Sequence, residues 1–283
     1  MKKAIIFFAC TVILAVAYSF APTRSSHHRI KVISFNIRNS SAWANQHDGI
    51  NCWANRRAAV AAMIAQEQPD AIGLQEVLND QLHFLDSALV DYERIGVGRD
   101  DGDTNGECMA VYFRKDRFLL EKSATYWLSE TPTAVSRGWD AACKRTVTMV
   151  LLEDRETHYK WLYMNTHLDH VGAIARAEST RLLHRLAEEW AGDSIPVVIG
   201  GDMNSNLQDT IFRSFSEDGW VSVREMLAPE DTLPTYTGYG KEKASQIDHF
   251  FIRNLRPVSI KTLNGNYGVP YISDHYPVMM EFD

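Results

Sequence analysis

The run Ile195-Pro196-Val197-Val198-Ile199-Gly200-Gly201-Asp202-Met203-Asn204 constrains this chain more than any other stretch. A short apolar, β-branched run reads as a buried strand. The two glycines let the backbone turn sharply and let other groups approach closely. Asp202 and Asn204 follow one residue apart, and in extended backbone positions i and i+2 share a face, so both side chains point into one site. An acid and an amide after a strand can also be an ordinary polar turn. Recurrence of the pattern elsewhere decides between the two.

The 283 residues are 45% hydrophobic and 23% charged, a globular composition with chain enough for a large core. The start differs. Met1-Lys2-Lys3 is basic and Ala4 to Phe20 carries no charge, the n-region and h-region of a secretory signal. Residues 1–19 therefore read as a signal peptide, with an N-terminal anchor as the alternative. Residues 20–29 read as a flexible lead-in and 30–283 as a single domain, exported to the periplasm or cell surface. Loss of Lys2 and Lys3 takes the formal charge from −7 to −9. That argues against tight binding of duplex DNA, though not against an acidic substrate held through a bound cation. Cys52, Cys108 and Cys143 show no zinc spacing, and at most one disulfide and no catalytic thiol are expected. A monomer is expected.

Periodicity predicts helices over Ala54–Gln66, Gln81–Leu89 and Ala173–Trp190, the last with Leu182, Leu183, Leu186 and Trp190 on one stripe and Gly192 near its stop. Strands are predicted at Ile30–Phe35, Ala71–Gln75, Met109–Phe113, Thr146–Leu152, Tyr159–Thr166, the opening run, Ile247–Ile252 and Val278–Phe282. The order argues for an α/β fold with a mixed sheet.

Polar residues mark six strand ends. Asn36, Glu76, His167 and Asp202/Asn204 follow apolar strands, whereas Asp248 and Ser273-Asp274-His275 precede them. If neighbouring strands run antiparallel, ends of both kinds share one edge and the groups converge on one cleft. Each has a bland account alone: a turn at Asn36, a helix cap at Glu76, a satisfied histidine at His167, a capped turn at Asp274. Six such coincidences together are improbable. Asn36 and Glu76 are oxygen donors suited to Mg²⁺ or Mn²⁺. Asp274 beside His275 suits an imidazole held as general base. Asp202 could orient that base or a water, and His167 and Asn204 could donate to a phosphoryl oxygen.

These residues resemble the endonuclease/exonuclease/phosphatase superfamily, the metal-dependent phosphohydrolases of the deoxyribonuclease I type. The motifs match in order over Ile30 to Phe282: Ser34-Phe35-Asn36-Ile37-Arg38, Gly73-Leu74-Gln75-Glu76, Asn165-Thr166-His167-Leu168-Asp169, Gly200-Gly201-Asp202-Met203-Asn204, Gln246-Ile247-Asp248-His249 and Ser273-Asp274-His275. The resemblance implies a four-layer α/β sandwich, two mixed β-sheets face to face with helices outside. It implies Glu76 as the metal carboxylate with Asn36 beside it, and His167 as a substrate-contacting or acid residue. Asp202 and Asn204 would orient water and bind phosphate, with Asp248 as a second carboxylate and Asp274 and His275 as the orienting acid and catalytic histidine. Trp53-Ala54-Asn55-Arg56-Arg57, Gly96–Gly102, Trp127–Pro132 and Gly138–Ala142 look like a largely uncharacterised bacterial secreted subgroup. Arg99 and Arg145 are candidate phosphate clamps, and Trp53, Trp127 and Trp139 candidate pocket walls, each equally readable as structural.

The expected activity is in-line hydrolysis of a phosphodiester by a water that His275 activates. The phosphoester would be a small molecule, a lipid headgroup or a nucleic acid. The alternatives are a phosphomonoesterase on sugar or inositol phosphates, or a binding module without turnover.

Overall fold

The computed structural model describes residues 29–212, 215 and 219–283, so the expected signal peptide lies outside the described residues. The first strand, β1 (Ile30–Asn36), is buried on both faces. Its even-numbered apolar residues, Ile30 and Val32, face one core, and Ile33 and Phe35 face another. That alternation places a sheet between two apolar layers. After β1 the chain runs through α1 (Ala42–Asp48), α2 (Trp53–Glu67), β2 (Ala71–Val77), α3 (Asn79–Ala88), β3 (Tyr92–Ile95), β4 (Cys108–Arg114), β5 (Phe118–Trp127), β6 (Thr146–Asp154) and β7 (Lys160–His167). It continues through α4 (Ala173–Ala191), β8 (Val197–Asp202), β9 (Val221–Ser222), α5 (Val223–Leu227), β10 (Asp248–Arg253), β11 (Pro257–Thr262) and β12 (Val278–Phe282).

Two six-stranded mixed sheets result, ordered β11-β12-β1-β2-β4-β3 and β5-β6-β7-β8-β10-β9. Three apolar layers hold them. Val60, Met63 and Ile64 of α2 and Leu82 and Leu85 of α3 cover Ile33, Phe35, Ile72 and Leu74. Val32, Phe113, Trp161, Tyr163, Val198, Phe250 and Phe282 fill the space between the sheets. Leu182, Leu183, Leu186 and Trp190 of α4 cover Met149, Leu162, Met164 and Ile199. At about 1.5–3 kcal/mol for each large side chain fully buried, the central layer alone makes separation of the sheets costly. The architecture is the four-layer α/β sandwich.

Gly200 and Gly201 do not turn the chain as expected; both lie inside β8. Their role is close approach. A Cβ on Gly201 would sit 2.0 Å from the Thr166 carbonyl oxygen, and one on Gly200 would sit 2.6 Å from the Phe250 ring.

Strand direction gathers the polar ends. β1 and β2 are parallel, and β12 is antiparallel to β1. In the second sheet β7 and β8 are parallel and β10 is antiparallel to β8. The C-terminal ends of β1, β2, β7 and β8 therefore share one edge with the N-terminal ends of β10 and β12.

Candidate active site

A bulge aims Glu76 into the cleft. In β2, Ile72 and Leu74 face the helices, and unbroken alternation would send Glu76 the same way. Instead two residues of β2, Gln75 and Glu76, oppose one of β4, Met109, between the Leu74–Ala110 and Val77–Cys108 pairs, and Glu76 takes φ +63°. A non-glycine residue in the left-handed region costs on the order of 1–2 kcal/mol, and such strain concentrates where it re-aims a functional side chain. Glu76 Oε1 accepts from Asn36 Nδ2 at 3.0 Å. Its Oε2 accepts from the Asn39 backbone N–H at 3.1 Å and from Asn39 Nδ2 at 2.9 Å.

Asn36 departs from expectation. Its Nδ2 also donates to Asp202 Oδ2 at 3.0 Å, and its Oδ1 accepts from the Arg38 N–H. In this conformation Asn36 offers nitrogen to the carboxylates and keeps its oxygen for the backbone, so it ties Glu76 to Asp202 and does not present an oxygen ligand. Arg38 follows with φ +59°. Its guanidinium bonds both oxygens of Asp48 at 3.3 Å and lies 3.8 Å from Asp274 Oδ2. Arg38 belongs to the motif quoted above, yet its charge was not assigned to the site from sequence. Burial works against an ionised Glu76, but Arg38 and the hydrogen bonds from Asn36 and Asn39 outweigh it and hold the pKa down.

The partner of His275 is a second correction. The sequence paired it with Asp274. In the structure His275 Nδ1 donates to Asp248 Oδ2 at 2.9 Å, while its Nε2 lies 3.7 Å from Asp202 Oδ2. Asp248 and Asp202 stand directly opposite each other across β10 and β8. Thr235 Oγ1 accepts from the Asp248 N–H and pins the start of β10. Asp274 turns the other way and accepts from Ser273 Oγ at 3.0 Å. Burial opposes a charge on His275, but Asp248 and Asp202 overcome it and push the pKa up to about 10. Burial and then Asp248 push Asp202 up to about 7. The cluster thus holds protons more tightly than free side chains do.

His167 and Asn204 form the opposite wall. Asn204, at φ +48°, donates from Nδ2 to the Leu168 carbonyl at 2.9 Å, which fixes its amide orientation. The same nitrogen lies 3.0 Å from His167 Nε2, so Nε2 accepts and Nδ1 carries the proton. Burial and then Arg145 and Arg99 keep His167 neutral, its pKa well below the usual value. Its Nδ1 is buried without a protein partner among the described residues. Both Asn204 amide hydrogens are committed, so here Asn204 positions His167 and does not reach for phosphate as the sequence suggested. Its backbone N–H donates to Asp202 Oδ1 at 2.9 Å.

Arg99 and Arg145 lie along the same cleft, each already paired. Arg99 pairs with Glu107, a residue the sequence did not single out. Arg145 Nε donates to Asp169 at 3.3 Å and its Nη2 to His170 Nδ1 at 3.0 Å. Cys143, Asp169 and His170 are close enough together to hold a metal, but Asp169 already accepts from the N–H groups of Ala142, Cys143, Val171 and Gly172. That group is a loop staple. Trp53 belongs to the helix–sheet core, Trp139 packs on the α4 core, and Trp127 donates from Nε1 to the Arg99 carbonyl. Cys52, Cys108 and Cys143 are all free.

His249, next to Asp248, gives a pH prediction. Its Nε2 donates to the Ser205 carbonyl, and burial lowers its pKa to about 4. A histidine held neutral in the fold but free to charge at about 6.5 when unfolded gives stability that is complete above 6.5 and lost as pH falls toward 4. Urea denaturation is expected to show a loss on the order of 3 kcal/mol across that window from this group. His249→Phe, beside Phe212 and Phe251, should flatten that part of the profile. An unchanged slope would contradict it.

The donor set fits a hard divalent cation. Glu76, Asp274, Asp202 and Asp248 crowd one pocket. Asp248 Oδ1 is buried with no partner among the described residues, and Asp274 has a raised pKa, first from burial and then from Glu76. Acids whose charge raises a neighbour's pKa at close range, as Glu76 does for Asp274 and Asp248 for Asp202, mark a place short of positive charge.

Residues 33–275 match the Endonuclease/Exonuclease/phosphatase family. Among solved structures, an endonuclease/exonuclease/phosphatase from Bacteroides vulgatus superposes with a TM-score of 0.84 at 30% identity, covering 90% of this chain and 98% of that one. A mannosyl-6-phosphatase from Bacteroides thetaiotaomicron gives 0.82 at 30% identity, covering 90% and 99%. Mouse nocturnin is 24% identical over 249 residues, 80% of this chain, which spans 55% of nocturnin's length. The chain belongs to the endonuclease/exonuclease/phosphatase family of phosphoester hydrolases.

Proposed function

We propose that the protein is an exported, divalent-cation-dependent phosphomonoesterase acting on sugar phosphates. The hydrolytic reading is carried by the seat of His275, with Nδ1 on Asp248 and Nε2 toward Asp202, which Asn36 ties to Glu76. Preference for a monoester, over the diester favoured from sequence, is supported by 30% identity over 90% of the chain to the mannosyl-6-phosphatase. The uncharged Ala4–Phe20 run behind two lysines supports export.

Glu76, with Asp274 nearby, would hold Mg²⁺ or Mn²⁺. When bound, such an ion supplies positive charge against the carboxylates and the phosphoryl oxygens, and so lowers the proton affinity of His275. His275 Nε2 then accepts the proton of the attacking water. Its Nδ1–H stays on Asp248, which fixes the tautomer and balances the imidazolium. Asp202, held by Asn36 and the Asn204 N–H, orients the water. His167 Nδ1–H, which lacks a protein partner, donates to a phosphoryl oxygen as charge develops there.

Hexose 6-phosphates and bis-p-nitrophenyl phosphate, compared with Mg²⁺ present, test the assignment. A higher kcat/KM on the hexose phosphate is expected. Faster diester cleavage would restore the phosphodiesterase, and no metal-stimulated release from either would end the hydrolase reading.

A further inference from the structure

The cleft continues past the catalytic centre. Across the two sheets β1 packs over β8, β2 over β7 and β4 over β6. Glu76 and His167 end the second of these pairs. At the third, β4 and β6 run antiparallel to β2 and β7, so their N-terminal ends reach the same edge. Glu107 immediately precedes β4 and Arg145 immediately precedes β6. The Arg99 backbone N–H donates to the Glu107 carbonyl at 3.1 Å, and their side chains form an ion pair.

We propose that Arg99, Glu107 and Arg145 form a subsite that reads the hydroxyl groups of the sugar leaving group. The proposal rests on the sugar-phosphate reading above and names the residues that would make it specific. Its basis is the balance of charge and hydrogen-bonding capacity. Each guanidinium already has a carboxylate, Arg99 with Glu107 and Arg145 with Asp169, so with Glu107 ionised the subsite carries no excess positive charge. A second phosphate would meet the like charge of Glu107, which already feels that of Glu76. The remaining capacity is mixed: Arg99 Nε and Nη2 and Arg145 Nη1 have no protein partner among the described residues, and Glu107 adds acceptor oxygen. Donors beside an acceptor suit vicinal hydroxyls, each of which both donates and accepts. Placement is rigid as well. Trp127 holds the Arg99 carbonyl, and Lys144 Nζ holds that of Asp100. Burial, then the charge of Glu76, raises the Glu107 pKa to about 7.

The test compares hexose 6-phosphate with ethyl phosphate, which has the same reacting group and no hydroxyls. In Glu107→Gln an oxygen remains for Arg99. Relative to ethyl phosphate, its kcat/KM on hexose 6-phosphate is expected to fall by about tenfold or more, mainly through KM. Arg99→Lys should shift the ratio the same way and carries the comparison if Glu107→Gln does not fold. Equal loss on both esters, or a larger loss on ethyl phosphate, would overturn the subsite and leave the hydrolase standing. If the unaltered protein hydrolyses neither ester, the functional reading falls and this inference with it.

Discussion

Replacing His275 by alanine is expected to lower kcat for phosphoester hydrolysis by about 10²–10⁴-fold, the range typical of losing a positioned general base. The ring is buried, its Nδ1 is bonded to Asp248, and its Nε2 lies 3.7 Å from Asp202 Oδ2. Among the described residues, neither His167 nor His249 can substitute. His167 spends Nε2 as an acceptor from Asn204, and His249 Nε2 points into the Ser205 carbonyl. Alanine also leaves two buried carboxylates facing each other, so near-UV circular dichroism should confirm the fold before rates are compared. A folded His275→Ala protein with undiminished kcat would remove the base from this mechanism.

Asp248→Asn is expected to cost a comparable factor, about 10²–10⁴, with little change in KM. The substitution keeps the shape but offers His275 Nδ1 an amide that can donate. That favours the tautomer with its proton on Nε2, the atom that must be free to accept. Asp274→Asn should leave the tautomer alone, because Asp274 bonds Ser273 and faces Arg38. An Asp274→Asn protein showing the tautomer defect, with Asp248→Asn spared, would reinstate the pairing read from sequence.

That misassignment has a simple cause. Adjacency in the chain does not make two side chains meet: Asp274 turns to Ser273 and Arg38, while His275 reaches Asp248. The true partner comes from another strand, through a register that periodicity does not reveal. Glu76 is similar: the motif put it at the end of β2, but only the bulge and its positive φ turn it away from the helices. The central strands and long helices were legible because burial makes them apolar on both faces or along one stripe. The strands left unrecognised, β3, β5, β9 and β11, are the four sheet edges. Phe118–Trp127 shows why: Glu121, Lys122 and Ser123 are exposed in mid-strand, where an edge tolerates charge and the apolar run breaks. Glu107 was missed because a lone acid before a strand has no spacing signal. It becomes visible once β4 is seen beside β2.

The central claim is that acids and imidazoles from both sheets surround one hard cation and hydrolyse a phosphoester there. Phosphate release from a hexose 6-phosphate by chelator-treated protein, before and after Mg²⁺ is restored, tests it most directly, with Glu76→Ala alongside. Negligible release is expected without the ion, recovery on adding it, and little recovery in Glu76→Ala. Full release by the stripped protein, or full recovery in Glu76→Ala, would contradict it.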